Sequence, residues 1–322
     1  MARPRRGYLV LKFIVHRLVL LMPVLLIVTV LASLLIYFTP GDPVRVMLGL
    51  RANEEAVAAI RAELGLDRPL YVRYFKWLGN IIRGNLGRSL QRNEDIGEMI
   101  LARLPATLEL TVFALCITAI IAIPTGVISA VKANTLIDNL CSLFSLFWVA
   151  MPGFWIALIA LLFFAVKLHL FPISGRLGPI WTTQGLWSLL LPGLILGLRQ
   201  VAIVSRLVRA GMLDVLNEEY IRTARGKGLS ERVVIYRHAL RNSMIPTVTI
   251  FGVQIPELLS ISVILEIVFA WPGLGMLLVD AVFKRDYTLV QSIVLIYSVL
   301  VIVVNMLIDT LYAYIDPRIK YE

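Results

Sequence analysis

The 322-residue chain is poor in charge, cysteine and histidine, and each shortage removes a class of explanation. Only 16% of residues are Asp, Glu, Lys or Arg, against about 25% in an average soluble domain, so water is not this chain's main solvent. The two cysteines, Cys116 and Cys141, stand in apolar runs without a Cys-x-x-Cys pair. That excludes a disulfide scaffold and gives both a packing role. His16, His169 and His238 are scattered, and neither His-Glu-x-x-His nor Gly-x-Ser-x-Gly occurs, so hydrolase chemistry has no motif to rest on. A phosphate loop is also missing: the one Gly-Lys pair, Gly226-Lys227, precedes Gly228, and Ile221 stands where the motif needs its first glycine. With 21 glycines and 15 prolines the chain is neither collagen-like nor of the disordered, low-complexity kind.

What is abundant is apolar surface. The hydrophobic set makes up 59% of the chain and the mean hydropathy is +0.83. A hydrocarbon core about 30 Å thick requires about 20 apolar residues of helix. Six segments meet that length: Leu18–Phe38, Leu104–Val131, Asn139–Val166, Leu186–Val208, Met244–Ala270 and Thr288–Ile308. The fold class expected is therefore all-α and polytopic, with six transmembrane helices.

Charge placement sets the orientation. Arg3, Arg5, Arg6, Lys12 and Arg17 precede the first span, which ends Tyr37-Phe38-Thr39-Pro40 without a small-x-small cleavage site and so reads as an uncleaved helix. Basic residues stay on the cytoplasmic side, and six spans return the carboxyl terminus there too. Arg206, Arg209, Arg222, Arg225, Lys227, Arg232, Arg237 and Arg241 make the connection between spans four and five the most basic. The net charge of +10 is thus a topology signal, with no nucleic-acid partner implied.

The stretch from Pro40 to Arg103 is placed outside despite its arginines, because loops longer than about 60 residues escape the charge rule. Asn53 caps a predicted helix through Ala62, with Val57, Ile60 and Leu64 on one face and Gly65 to end it. A second apolar run follows from Pro69 to Ile82, in which Tyr71, Tyr74, Phe75 and Trp77 either anchor at the headgroup level or pack on the membrane domain. The expected organisation is a cytoplasmic amino terminus with helix 1 (1–38), a small helical extracytoplasmic domain between helices 1 and 2 (39–103), the remaining transmembrane helices (104–315) and a cytoplasmic tail (316–322). A cytoplasmic loop at 213–243 interrupts the third of these.

That loop carries two predicted helices. Asn217 is an N-cap candidate, Glu218 and Glu219 suit the positive end of the dipole, and Arg225 and Lys227 suit the negative end before Gly226 and Gly228 stop the helix. Tyr220, Ile221 and Ala224 share one face, with Arg222 on another. Ser230 starts a second helix running through Leu240, broken by Asn242 and Pro246. Such a loop either receives force from a cytosolic partner or rests on anionic lipid.

The run Glu219-Tyr220-Ile221-Arg222-Thr223-Ala224-Arg225-Gly226-Lys227-Gly228-Leu229, with His238-Ala239-Leu240-Arg241-Asn242, resembles the coupling loop of the dipeptide, oligopeptide and nickel permeases of ATP-binding-cassette importers. The resemblance extends through Pro40-Gly41-Asp42-Pro43, Leu64-Gly65-Leu66-Asp67-Arg68-Pro69, Gly84-Asn85-Leu86-Gly87, Leu104-Pro105-Ala106-Thr107-Leu108-Glu109-Leu110, Trp271-Pro272-Gly273-Leu274-Gly275, Arg285-Asp286-Tyr287 and Asp316-Pro317-Arg318. Where the wider superfamily has Glu-Ala-Ala, this chain has Arg222-Thr223-Ala224. The resemblance implies a type I importer permease fold in a bacterial inner membrane and a non-catalytic subunit that binds no cofactor. Its implied partners are a second homologous permease, two ATPase subunits holding ATP and Mg, an extracytoplasmic substrate-binding protein, and membrane lipid. It implies peptide cargo, with nickel chelates, glutathione or other small solutes as alternatives. A scaffold or receptor that recruits cytosolic proteins without pumping is the rival from another class. The ATPase-coupling residues would be Asn217 through Leu229.

Ionisable groups within spans cost about 2.5–3.5 kcal/mol each, so Glu109, Arg199, Glu257 and Glu266 are expected to face protein or water. Glu257 and Glu266 are two and a half turns apart and point to opposite sides of a straight helix. Either both are paired structurally or one lines the cargo path, and Glu257, the deeper, is the better candidate for the path.

Overall fold

The computed structural model describes residues 22–34, 42–49, 52–63 and 65–315. Among these the chain is helical throughout, apart from one isolated bridge between Arg88 and Asp95. It divides into two compact units: one comprises the chain up to Pro105 with Gly273–Met306, the other Ala106–Pro272 with most of the chain from Leu307.

The first unit holds α1 (Met22–Leu34), α2 (Pro43–Leu48), α3 (Glu54–Glu63) and α4 (Leu70–Ile82). It also holds the start of α5 (Ile96–Val131), α12 (Leu274–Phe283) and most of α13 (Tyr287–Ile315). The Asn53 carboxamide accepts from the Ala56 N–H at 2.7 Å, which is the expected cap of α3. At the other end Gly65, at φ +64°, lets Gly65 and Leu66 donate back to Ala62 and Arg61, and the helix stops as predicted. α5 starts at Ile96 rather than near Leu104. Asp95 caps it, its Oδ1 accepting from Gly97 N–H (2.8 Å) and Glu98 N–H (3.2 Å), and the helix then runs through Pro105. Residues 96–103, assigned from sequence to the outside domain, are therefore the first turns of this long helix. The core of the unit is Ile96, Leu274, Leu289 and Ile293. Buried Asp286 accepts from the Ser89 hydroxyl and from Leu90 N–H at 3.2 Å, tying the loop before α5 to the start of α13.

The second unit is built around α8 (Thr183–Leu216), the most buried of the long apolar helices. α5 approaches it on small residues. A Cβ on Gly193 would lie 2.3 Å from the Phe113 ring, and one on Gly197 would lie 2.9 Å from the Ala114 carbonyl. This Gly-x-x-x-Gly pair lets the backbones meet where lipid provides no hydrophobic drive for helix association, and the Thr118 hydroxyl bonds across to the Gly197 carbonyl at 3.1 Å.

The predicted third span is two helices, α6 (Leu136–Ala150) and α7 (Gly153–Ala160, continued as a π-helix over Leu161–Lys167), bent by 100° at the break. Pro152 forces the preceding Met151 out of the helical region, to φ −88° and ψ 137°, and a straight span cannot pass it. α5, α8 and Tyr287–Ile308 of α13 are long and apolar enough to cross a membrane singly, and the bent pair is so in combination. The fifth predicted span coincides with α11 (Leu240–Val268), and the first is described only over Met22–Leu34.

Candidate functional site

The 213–243 segment leaves α8 and re-enters the second unit through α9 (Glu219–Gly226) and α10 (Glu231–Val233). Its local chemistry partly differs from expectation. Asn217 is the C-cap of α8, its amide donating to the Leu213 carbonyl at 2.9 Å, while Glu218 occupies the N-cap of α9 without a side-chain bond. The α8 helix simply continues to Leu216, which leaves Asn217 to close it. At the exit of α9 Gly228 acts as read from sequence, whereas Gly226 is the last residue of the helix and does not stop it. Gly228, at φ +78°, donates to Arg225, and Leu229 donates to Ala224, the paired bonds of a glycine-terminated helix.

The second helix does not break at Asn242 and Pro246. α10 passes through a π-helical segment (Val234–Ala239) directly into α11, which runs through position 246. A proline withholds only one backbone donor, and long membrane helices absorb this while neighbouring polar groups stay satisfied. Here the Ser243 and Thr247 hydroxyls bond back to Leu240 and Ser243 carbonyls.

Two faces of α9 divide its residues. Ile221 and Ala224 are buried in a cluster with Val208 and Met212 of α8 and Val234 and Ala239 of the π-helical segment. Tyr220, expected on that buried face, is 41% exposed, and its hydroxyl accepts from the Asn242 amide at 2.9 Å. One residue earlier than Ile221 on the helix, it is turned by about 100° out of the cluster. Arg225 pairs with Glu231 at 2.7 Å, joining α9 to α10. Arg222, Thr223, Lys227 and Leu229 are exposed. α9 is thus clamped on its inner face to α8 and the π-helical segment and open on its outer one.

The charges within the apolar helices fall into two groups. Glu109 receives both Nε and Nη2 of Arg176, at 2.7 and 2.8 Å, and this pair raises the Arg176 pKa against the opposing effect of burial. Asp138 at the head of α6 receives Arg209 of α8 in the same bidentate way and also accepts from the Ser129 hydroxyl. Glu266 is fully buried and accepts from Thr107 at 2.7 Å, beside the Trp271 indole N–H that donates to the Ala106 carbonyl. These three are structural. Arg199 and Glu257, by contrast, have no ion pair or side-chain hydrogen bond among the described residues, and the Arg199 guanidinium lies against Gly153 at the α6–α7 break. Their helices are bridged nearby by Gln200, whose Nε2 reaches the Gln254 carbonyl at 3.4 Å.

Residues 122–321 match the family model "Binding-protein-dependent transport system inner membrane component", and residues 10–111 match the companion model for the N-terminal part of these membrane components. The molecule is a multi-pass membrane permease with the type I importer fold. In particular, the chain belongs to the family of binding-protein-dependent transport system inner membrane components. It is 40% identical to the di/tripeptide transport system permease protein DppB of Pseudomonas aeruginosa, over 97% of this chain and 99% of that one. It is 39% identical to the oligopeptide transport system permease protein AppB of Bacillus subtilis, over 96% and 99%. Against the dipeptide permease protein DppB of Escherichia coli K12 the identity is 37%, over 97% and 99%. A solved structure of the MetNI methionine transporter in an inward-facing conformation shares the fold, with TM-score 0.56, 16% identity, and coverage of 68% of this chain and 96% of that one.

Proposed function

We propose that this chain is one permease subunit of an ATP-driven importer, forming half of the path for di- or oligopeptides delivered by a binding protein. The observation that carries the reading is the likeness of about 40% identity, over nearly the whole chain, to permeases named for di/tripeptide and oligopeptide transport. ATP and Mg are held by two partner ATPase subunits, a second homologous permease completes the path, and both termini face the cytoplasm. The part of the chain between α1 and α5 faces the binding protein, and the helices from α5 onward carry the path.

The 217–229 segment is the docking element for the ATPase. Closure of the two ATPases pushes the outer face of α9, and because Ile221 and Ala224 are packed among residues of α8 and the segment leading into α11, the push moves these helices as rigid bodies. Glu257 is a charge on the translocation path. A zwitterionic peptide brings an ammonium group suited to its carboxylate and a carboxylate suited to the unpaired Arg199.

The reading is tested by reconstituting the co-purified complex in proteoliposomes with its binding protein and labelled dipeptide. ATP-dependent accumulation of the dipeptide is expected. Accumulation of a nickel chelate or glutathione with none of peptide would reassign the cargo, and a chain that brings down no ATPase would be a scaffold instead.

A further inference from the structure

The first unit carries an open-sided cavity of about 580 Å³ that no part of the transport reading uses. Its position in the membrane follows from its lining. Thr288 and Gln291 come from the first turns of α13, whose Tyr287–Ile308 stretch is long and apolar enough to cross a membrane, and Ser33 comes from the last described turn of apolar α1. Gln291 Nε2 donates to Ser33 Oγ at 2.7 Å, closing that floor. A cavity floored by the first turns of such a helix and lined elsewhere by charged side chains lies at the depth of lipid headgroups.

The wall opposite is α4, which has two distinct faces. Tyr71 and Phe75, at 66% and 65% exposure, and Ile82 form an uncovered apolar and aromatic stripe of the kind that sits at the acyl–headgroup boundary. Arg73, Trp77 and Asn80 line the cavity from the other face. The Trp77 side chain is buried, yet its indole N–H has no acceptor among the described residues. Half-buried Arg73 and Asn80 likewise have no side-chain partner there. Burial lowers the Arg73 pKa, an effect that Tyr287 only partly offsets, so the guanidinium bears a desolvation cost with no side-chain partner among the described residues. Arg61, Arg68 and Lys76 add positive charge to the lining against Asp42 and Asp67, and Asp42 is already engaged by Arg61. Three unsatisfied donors in a basic cavity call for an oxyanion.

We propose that this cavity binds the phosphate headgroup of an anionic phospholipid, with Arg73, Trp77 Nε1 and Asn80 as its donors and the Tyr71–Phe75–Ile82 stripe alongside its acyl chains. The site holds the outer ends of α1 and α13 against α4 and makes the unit's stability depend on lipid charge. It is independent of the cargo and would stand if the peptide reading failed.

The test uses the full chain, with whatever subunits co-purify, in detergent. Short-chain phosphatidylglycerol, short-chain phosphatidylcholine, inorganic phosphate and a dipeptide are titrated separately, with thermal unfolding and native mass spectrometry as readouts. Phosphatidylglycerol is expected to raise the melting temperature and remain bound at concentrations at least 5-fold lower than phosphatidylcholine. Arg73→Gln should weaken it about 10-fold or more, because a charge-assisted pair is removed, whereas replacing the exposed arginine of α10, Arg232→Gln, should not. Should Arg73→Gln fail to fold, Trp77→Phe keeps the ring, removes the donor and should weaken binding several-fold. Equal effects of the two lipids, or a Trp77→Phe chain binding as the wild type does, would overturn the proposal. So would inorganic phosphate saturating the effect at similar concentration, which indicates a free-anion site, or displacement of the lipid by dipeptide, which indicates a cargo site.

Discussion

The Arg209 guanidinium grips the Asp138 carboxylate with Nε and Nη2, each at 2.7 Å, and so joins the last turns of α8 to the head of α6. Asp138 is 3% exposed and also accepts from Ser129 Oγ and the Asn134 N–H, so its charge is satisfied on every side. Removing one partner strands a buried charge, which generally costs about 3–5 kcal/mol. Arg209→Met is expected to lower stability on that scale, and Asp138→Leu combined with Arg209→Met to recover much of the loss. Thermal unfolding of the two variants in the same detergent checks this, and a double variant no better than the single would refute it.

The Gly193 and Gly197 contact predicts a steep dependence on side-chain size. A methyl group on Gly193 meets the Phe113 ring at 2.3 Å, so Gly193→Ala should cost about 1–3 kcal/mol through overpacking, and Gly193→Val more. At Gly226 nothing lies within 4 Å, and alanine is the better helix former there. Gly226→Ala should be neutral or slightly stabilising. Melting temperatures of the set order these effects.

Within α9 the exposed and buried residues let the proposed docking role be tested apart from folding. Tyr220→Asp changes an exposed residue and should leave the protein as stable as the wild type while abolishing uptake coupled to ATP hydrolysis. Ile221→Asp puts a carboxylate into the cluster with Val208 and Met212 and should destabilise the segment itself. Gly228→Ala strains a φ of +78° by about 1 kcal/mol, and proline there cannot adopt that conformation at all. Normal, cargo-stimulated hydrolysis in an assembled Tyr220→Asp complex would count against α9 as the docking element.

Glu257→Gln and Arg199→Gln each remove a charge within the apolar helices that has no partner among the described residues. Uptake of a dipeptide should fall for both, with stability unchanged because neither side chain has a partner among the described residues. Glu109→Gln should do the opposite: it breaks the pair with Arg176 and lowers stability. Unchanged uptake in a normally expressed Glu257→Gln variant would remove that residue from the path.

Asp280 predicts a contribution on the acid limb. Burial pushes its carboxyl pKa up, but bonds from Lys284 and Arg92 at 2.9 and 2.8 Å outweigh it, and the net pKa lies below the ordinary carboxylate value. A group lowered on folding stabilises above its unfolded pKa, about 3.9, and loses that contribution as the pH falls through the folded value. Asp280→Asn should therefore reduce stability at neutral pH and flatten its decline below about pH 4, measured as melting temperature against pH.

Local chemistry was readable wherever its cause spans a few residues. The Asn53 cap, the left-handed Gly65 and Gly228 and the apolar runs depend only on near neighbours, so the helical membrane class and the exit of α9 followed from the amino acids alone. The Asp95 start of α5 and the Met151-Pro152 break are equally local in cause, though one lies ahead of the apolar run and the other within it. The rest depended on residues far apart in the chain. Nothing near Asp138 indicates that Arg209 will neutralise it, nor near Glu109 that Arg176 will, and only tertiary pairing separates these charges from Arg199 and Glu257. Packing likewise turned Tyr220 outward and carried α11 through position 246, because the energy of a buried helix face outweighs one lost backbone bond. Sequence alone thus determined that the chain lives in lipid as helices; the tertiary structure decided which of its few charges hold it together and which remain free to act.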